Sequence, residues 1–531
     1  MPDPLKLASI ATVCLTGCSG WLVAVKAESL PSVHPAHQPA FAGSGQVQPQ
    51  ELLDELESLQ AQIESRAVKV SLQDAIAQGV ANNPSLAEQF AQLQGQEWAL
   101  IQAERKWNPT FGITGSDPFV GYGWTTYVQN NYAQIKPYQG GDWRDIKNDT
   151  PQKYQVKQAQ QQQQFQVGVS AVLQWSFLDA TRQPAINSAQ SSLEQQKLLF
   201  DNAARQLVLS LQQAYFQIQT NKQLIDSFKQ IYDINKQQLD MLDARKAIGM
   251  VTVAEVEQQR SSLYIQLTQL VAYVRNYIAA TAQLSQLMAL PEHALAVPIE
   301  PASPQGRWDQ SLEDTLQNAL QYREDILAYY AQAEASRWAG IRNMKTYLPV
   351  FSVVGNGGFQ GNNGYPQAYL GVDPGRTYHT NRQWTANVGI GFNWQFDGGL
   401  NAAQAQQNFA QSRRALALKA KTEDQVVSDV RSAYGQMQTA AIAIKAARQS
   451  YQSAELAQAA ARARFEVGVG DITAVVQAIQ QLSQSSEQIA NSILNYNNSI
   501  AQLYRYSATW PVTAKQDVKE RIQSLRNLTS P

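Results

Sequence analysis

The chain has 531 residues, of which 16% are charged, and its formal net charge is -1. A chain with almost no net charge does not attract the phosphate backbone as nucleic-acid-binding proteins do, so we expect no nucleic-acid partner. Only four histidines occur, and the two cysteines are Cys14 and Cys18. We therefore expect no disulfide in the main body, no metal or cofactor site, no catalytic residues and no enzyme.

The N-terminus has the layout of a secretory signal, in which Lys6 precedes a mostly apolar stretch that ends at Val25. Cleavage after the small residues that follow defines a signal peptide of residues 1–27. A lipobox-like motif predicts the alternative, an acylated Cys18 that serves as a lipid anchor: Leu15-Thr16-Gly17-Cys18. The two outcomes exclude each other, and we favour simple cleavage because the apolar residues continue beyond Cys18. Residues 28–69 then form an N-terminal extension.

Two segments of the chain repeat each other without a gap at a spacing of 240 residues, beginning at Ser71 and Ser311. A second block repeats at a spacing of 219, and its best matches are Ala214-Tyr215 with Ala433-Tyr434, Ala244-Arg245 with Ala463-Arg464, and Gly249 with Gly468. The sequence therefore predicts two copies of one unit, at 70–290 and 310–507. A proline-rich linker at 291–309 joins them, and a tail follows at 508–531.

Within each copy, one segment alternates strictly between apolar and polar or small residues, which predicts a strand. The apolar positions are Phe165, Val167, Val169, Ala171, Leu173, Trp175 and Phe177 in the first copy, and Trp384, Ala386, Val388, Ile390, Phe392, Trp394 and Phe396 in the second. Weaker strands are expected to begin at Pro109 and Pro349. Stretches rich in Gly, Asn, Gln and Tyr at about 117–163 and 357–383 are expected to be connections.

Four strands of this kind, apolar on one face and ending in Trp and Phe, suit a tilted membrane crossing of about 9 to 11 residues. A buried sheet in a soluble protein is the alternative. After the N-terminal stretch there is no run of about 18 apolar residues, so we expect no further transmembrane helix. Four strands do not close a barrel and lipid does not tolerate open edges, so a membrane location requires that chains share one barrel. Three chains supply twelve strands.

The remaining sequence predicts long helices with coiled-coil spacing. Apolar residues recur every seven positions at Leu211, Ile218, Ile225, Tyr232 and Leu239, and at Val430, Met437, Ile444 and Tyr451, while alanine fills the companion positions 433, 440, 447, 454 and 461. A helix from Pro184 to Ile248 would be about 95 Å long. A leading helix from Ser71 to Trp107 would stack on the shorter return helix. The periodicity alone also fits an ordinary helical bundle.

A segment of the second copy resembles a signature of the TolC family of outer-membrane efflux proteins: Ala463-Arg464-Phe465-Glu466-Val467-Gly468-Val469-Gly470-Asp471-Ile472-Thr473-Ala474-Val475. Together with the duplication and the strand pairs, this resemblance extends over about 70–507. It implies a mainly α fold with a β part, in which a homotrimer forms a 12-strand barrel in the outer-membrane lipid and a helical tunnel in the periplasm. It also implies a periplasmic adaptor (membrane fusion protein) and an inner-membrane pump or ABC transporter as partners.

The resemblance assigns adaptor docking to two helix–turn–helix tips, Ile248-Gly249-Met250 and Val467-Gly468-Val469. The family often places acidic residues just after the second tip, where they form constricting rings. Here the aligned positions are Ala474 and Gln477, so the candidate pore-gate residues are the nearby Asp471 and Glu255. A carboxylate at a helix start is also an ordinary cap or helix-dipole partner.

The leading functional hypothesis is therefore a passive duct for tripartite efflux or type I secretion. A trimeric coiled-coil surface protein without transport activity is the alternative, although it does not explain the duplicated strand pairs. No phosphate-binding loop is present, because the Val-Gly-Val-Gly segment does not follow a predicted strand.

Overall fold

The computed structural model describes residues 48–135, 152–365 and 379–511, together with positions 514, 520, 522 and 523. The predicted signal peptide, the candidate anchor Cys18, the first part of the N-terminal extension and most of the C-terminal tail lie outside the described residues. Within the described part, the predicted class, mainly α with a β part, is confirmed.

The two copies fold into the same succession of elements. The first contains α2 (Leu72–Asn82), α3 (Pro84–Arg105), β2 (Thr110–Ile135), β3 (Gln152–Leu178), α4 (Arg182–Ala247) and α5 (Val253–Leu287). The second contains α6 (Leu312–Tyr322), α7 (Glu324–Lys345), β5 (Val350–Tyr365), β6 (His379–Asn393), α8 (Leu400–Glu466) and α9 (Ile472–Tyr506). Since α4 has 66 residues and α8 has 67, each is about 100 Å long.

Three further elements lie outside this common pattern: α1 (Pro49–Ser65), β1 (Ala67–Val70) and β4 (Leu295–Pro298). The strands β1 and β4 pair in parallel, so the segment before the first copy and the linker between the copies meet in a two-stranded sheet. Helix α1 lies along α4, where Glu57 pairs with Lys229 and Glu64 pairs with Lys222, both at 3.1 Å. The pairs are seven residues apart on both helices and run in opposite directions, as in an antiparallel coiled coil.

The leading helix of each copy is broken, which corrects the expectation of one helix from Ser71 to Trp107. The break follows Asn83, whose side-chain oxygen accepts hydrogen bonds from the N–H groups of Ser85 (2.9 Å) and Leu86 (3.3 Å). Pro84 occupies the first position of α3, where its missing N–H costs nothing. The Asn83 amide also donates to the Leu287 carbonyl at 2.9 Å, so α3 begins where α5 ends and the expected stacking is observed.

The four main strands form one antiparallel sheet in the order β2-β3-β5-β6, so β2 and β6 are its edges. The strands are longer than predicted. The stretches expected as connections continue the pairing, which in the first copy reaches Ile135 opposite Gln152 and in the second reaches Gly364 opposite His379. In these stretches the sequence is polar or small at most positions, so the apolar alternation ends while the backbone ladder continues.

The predicted heptad stripes are core positions of the long helices. Leu211, Ile218, Ile225, Tyr232 and Leu239 are all buried in α4, and Ala433, Ala440, Ala447 and Ala454 are buried in α8. Alanine brings helix backbones close together, which suits a thin wall of helices. Long packed helices therefore hold the strand sheet at one end of the molecule and two hairpin turns at the other.

Candidate functional site

The first hairpin tip joins α4 to α5. Gly249 has φ of +76°, and the tip is closed by hydrogen bonds from Gly249 N–H to the Lys246 carbonyl and from Met250 N–H to the Arg245 carbonyl, both 3.0 Å. A side chain placed on Gly249 would meet nothing within 4 Å, so it is the backbone conformation and not space that favours glycine.

The second tip joins α8 to α9 with the same backbone geometry. Gly468 has φ of +80°, its N–H donates to the Phe465 carbonyl at 3.1 Å, and Val469 N–H donates to the Arg464 carbonyl at 3.0 Å. The two tips are therefore equivalent parts of the repeat, and the sequence predicted both.

Each tip presents large apolar side chains to solvent. The exposed fractions are 70% for Ile248 and Met250, 75% for Val467 and 72% for Val469. Clustered exposed apolar side chains of this kind mark an interaction surface. The structure thus places all six residues predicted for docking at two exposed turns.

The two gate candidates, Glu255 and Asp471, lie at helix starts just beyond the tips. The Glu255 carboxylate accepts from the Thr252 N–H at 2.6 Å and from its hydroxyl at 2.8 Å, which completes a capping box. Asp471 is the N-cap of α9 and accepts from the Thr473 N–H at 3.3 Å. Both carboxylates therefore cap their helices in the single chain.

One contact that the sequence did not predict connects the two tips. Arg245, in the last turn of α4, donates to the Phe465 carbonyl at 3.2 Å and to the Glu466 carbonyl at 2.8 Å. Its guanidinium carbon also lies 4.9 Å from the centre of the Phe465 ring. The only sequence signal for this role was the match of Arg245 to Arg464.

At the opposite end of the helices, the repeat builds two matching joints to the strand sheet. The Trp175 indole N–H donates to the Trp107 carbonyl, and the Trp394 indole N–H donates to the Tyr347 carbonyl, both at 2.9 Å. In the second copy, Asp397 accepts from the Tyr347 hydroxyl at 2.8 Å and caps the start of α8. The backbone N–H of Asn401 holds the pKa of the Asp397 carboxyl below its usual value, and the Tyr347 hydroxyl adds to this shift.

Between the sheet and the tips, α4, α7 and α9 meet at a buried charged cluster that the sequence did not single out. Glu324 pairs with Arg205 at 2.5 Å and lies 3.8 Å from Arg505, and the Arg323 side chain pairs with Asp325 at 3.0 Å. Burial lowers the pKa of Arg505. These charges tie the start of α7 to the end of α9, as Asn83 ties α3 to α5.

Among the described residues no group of three or more His, Cys, Asp and Glu is placed to hold a metal ion. The same residues include no helix that is both long and apolar enough to cross a membrane.

The strand sheet carries exposed apolar residues along β3 and β6, among them Val169, Trp384, Val388 and Ile390. Next to it stand helices of about 100 Å that end in two equivalent tips. An apolar strand sheet that continues into long hairpins defines the subunit of a membrane channel that extends well beyond the bilayer.

The comparisons with known proteins agree with this class. The model of the outer membrane efflux protein family matches residues 75–290 and 312–509, which are most of the two copies. The chain belongs to this family. It is therefore an outer-membrane efflux channel protein, with its helical part in the periplasm, and not an enzyme. The alternative of a surface protein without transport activity finds no support.

Individual relatives are distant in sequence. The outer membrane protein TolC of Escherichia coli (strain K12) is 22% identical over 333 residues, which span 62% of this chain and 66% of that relative, just under two thirds. The structure is similar to the outer membrane protein VceC from Vibrio cholerae, with a TM-score of 0.60, 17% identity and coverage of 82% of this chain and 96% of that one. It is also similar to the CmeC outer membrane channel of Campylobacter jejuni, with a TM-score of 0.63, 15% identity and coverage of 86% and 89%.

Proposed function

We propose that three copies of this chain form a passive export duct, with a shared 12-strand barrel in outer-membrane lipid and a continuous helical tunnel in the periplasm. The observation that carries the proposal is the four-stranded sheet, whose edges β2 and β6 are unpaired in the single chain while its β3 and β6 residues present apolar side chains. Unpaired backbone groups are not stable in lipid, so the edges must pair with other copies.

The duct takes its cargo from partners. A periplasmic adaptor of the membrane fusion class recruits it to an inner-membrane pump or ABC transporter, in tripartite efflux or in type I secretion. The chain itself supplies a path and no energy. The surface that receives the adaptor is formed by the two tips, whose four large apolar side chains remain exposed in the single chain. Burying them against a partner removes apolar area from water, which favours association.

The proposal is tested by substitutions that alter the tip surface and leave the turn intact. Val467→Asp together with Met250→Asp places charge on both tips, and we expect export to be lost while trimers still form. Ser58→Asp together with Gln62→Asp is the matched control, since it adds the same two charges at exposed positions of α1 away from the tips. Drug sensitivity of a strain that depends on this channel is the readout. Unchanged sensitivity of the double variant would remove the docking assignment.

Transport itself is tested separately. The purified protein, reconstituted into a planar bilayer, is expected to conduct ions without any partner, because the barrel and the tunnel belong to one continuous duct. Absence of conductance from protein that has inserted as trimers would contradict the proposal.

A further inference from the structure

The contact made by Arg245 is a helix cap supplied by a neighbouring hairpin. The last carbonyls of a helix lack partners within the helix and carry its partial negative charge, so a guanidinium placed there is favourable. Arg245 belongs to the first hairpin, and its acceptors, the Phe465 and Glu466 carbonyls, belong to the last turn of α8 in the second hairpin. Within one chain this contact joins the two tips.

The repeat places a second arginine in the equivalent position. Arg464 matches Arg245 at the spacing of 219 residues, and the two helices end in the same hydrogen-bond pattern. The Arg464 side chain is exposed and has no hydrogen-bond or ion-pair partner among the described residues. The carbonyls equivalent to the acceptors of Arg245 are those of Lys246 and Ala247, and of these the Lys246 carbonyl accepts from the Gly249 N–H within its own turn.

The packing of the helices within one chain indicates which helix of another copy lies beside α8. Within the chain α4 packs on α9, and the repeat relates α4 to α8 and α5 to α9. The same packing carried one step further therefore sets α8 against α5 of another copy. Both outer helices keep exposed apolar side chains: Ile442 and Leu456 on α8, and Ile265 and Val271 on α5. Burying these apolar side chains against each other would remove them from water, which favours such a contact.

We infer that Arg464 caps α4 of the next copy in the trimer, donating to the Lys246 and Ala247 carbonyls of that copy as Arg245 does within the chain. Arg245, which caps a helix of its own chain (the cis contact), and Arg464, which caps a helix of the next chain (the trans contact), then alternate around the six tips. The trans contact is the weaker one. Arg245 lies over the ring of Phe465, whereas the residue equivalent to Phe465 in α4 is Lys246, whose positive charge repels the guanidinium of Arg464. This inference rests on the proposed trimer and adds the residue pair that closes it at the tips.

The test compares two cysteine pairs in the full-length protein, treated with the same short thiol-specific bifunctional reagent. Arg464→Cys with Ala247→Cys reports the trans contact, and we expect conversion of monomers into covalent trimers in denaturing gels. Arg245→Cys with Glu466→Cys reports the cis contact, with a known geometry that calibrates the reach of the reagent, and we expect the product to migrate as a monomer. Each single-cysteine variant controls for reaction at the N-terminal cysteines.

A parallel sample treated with a lysine-reactive reagent reports assembly independently of the tips. Trimers with that reagent, but only monomers from the Arg464–Ala247 pair, would overturn the trans cap and leave the proposed duct standing. Absence of trimers with both reagents would overturn the proposed assembly and the inference with it. Arg464→Gln should raise the conductance measured in a bilayer. The control is Arg462→Gln, which should leave the conductance unchanged, because Arg462 pairs with Glu466 of its own helix.

Discussion

Asp471 and Glu255 cap the starts of α9 and α5, and we propose that in the trimer they also face the pore. Each side chain accepts hydrogen bonds from the first turn of its own helix. Capping leaves the negative charge in place, and in a trimer three copies of that charge lie around one axis. The repulsion between the three charges destabilises the arrangement of the tips, so packing of the tips must balance it.

We predict that Asp471→Asn lowers the cation selectivity of the channel and leaves assembly intact. Asparagine caps a helix as well as aspartate does, so only the charge is removed. The measurement is the reversal potential under a salt gradient, with Glu255→Gln as the comparison, for which we expect a smaller change. Asp471→Ala, which removes the cap as well, should cost about 1 kcal/mol of stability. If selectivity is the same in wild type and Asp471→Asn, the residue is a cap and not a gate.

Asp397 predicts a pH dependence at the joint between sheet and helices. Its pKa is lower in the folded protein than the ordinary value of about 3.9, so its contribution to stability is complete above that pH and is lost as the pH falls through the folded pKa. Melting temperatures measured from pH 5 downward should therefore decline less in Asp397→Asn than in wild type. Tyr347→Phe removes one donor, so the folded pKa of Asp397 moves back toward its ordinary value, and the decline should be smaller and should end at a higher pH than in wild type. Identical profiles for all three proteins would contradict this assignment.

The two faces of strand β6 carry different kinds of residue. Ile390 and Val388 are among the most exposed large apolar residues, whereas the residues between them and beside them on the other face are Asn387, Gly389 and Gly391. A sheet with this asymmetry places one face against lipid and the other toward a polar interior.

We predict that Ile390→Arg impairs membrane assembly, because an arginine near the bilayer midplane costs about 2 to 4 kcal/mol in a barrel. Asn387→Arg carries the same charge on the opposite face of the same strand and should assemble normally. Val169→Arg tests the same face in β3. The measurement is the fraction of protein recovered as heat-stable trimers from outer membranes. Equal recovery of Ile390→Arg and Asn387→Arg would indicate that the sheet does not face lipid.

The elements also show which features a local pattern can predict. The heptad stripe of α4 and the alternation around Val169 and Ile390 repeat within a few residues, so each reports its own burial. The break at Asn83 has a local signal, the Asn83-Pro84 pair, which is typical of a helix start. The bond from the Asn83 amide to Leu287 has none, because the two residues are distant in the sequence. The extended strands escaped detection because backbone pairing there carries no apolar alternation. The Arg245 contact required the relative position of two hairpins.

The proposed number of subunits rests on the strand count. One chain supplies four strands to the main sheet, too few to close a membrane barrel, and three chains supply twelve, an even number within the range of about 8 to 26 found in bacterial barrels. The helices fit the same threefold arrangement, since two hairpins per chain give six hairpins around the axis. The sheet and the tips therefore require the same assembly.

We predict that chemical cross-linking of the detergent-purified protein proceeds to trimers and no further. Dimers should appear only as intermediates that disappear at higher reagent concentration. Membrane fractionation of the same cells should place the trimers in the outer membrane. A stable monomer or dimer in detergent, with intact helices by circular dichroism, would contradict the shared barrel.

The pairing of β3 with β5, in which Val169 lies opposite Phe359, has a consequence for biogenesis. A chain exported from its N-terminus presents the free edge of β3 to the periplasm before its partner strand, about 190 residues later, has crossed the inner membrane. An unpaired apolar edge is prone to aggregate, so we expect the first half to need protection, for example by a holding chaperone, until the second half arrives.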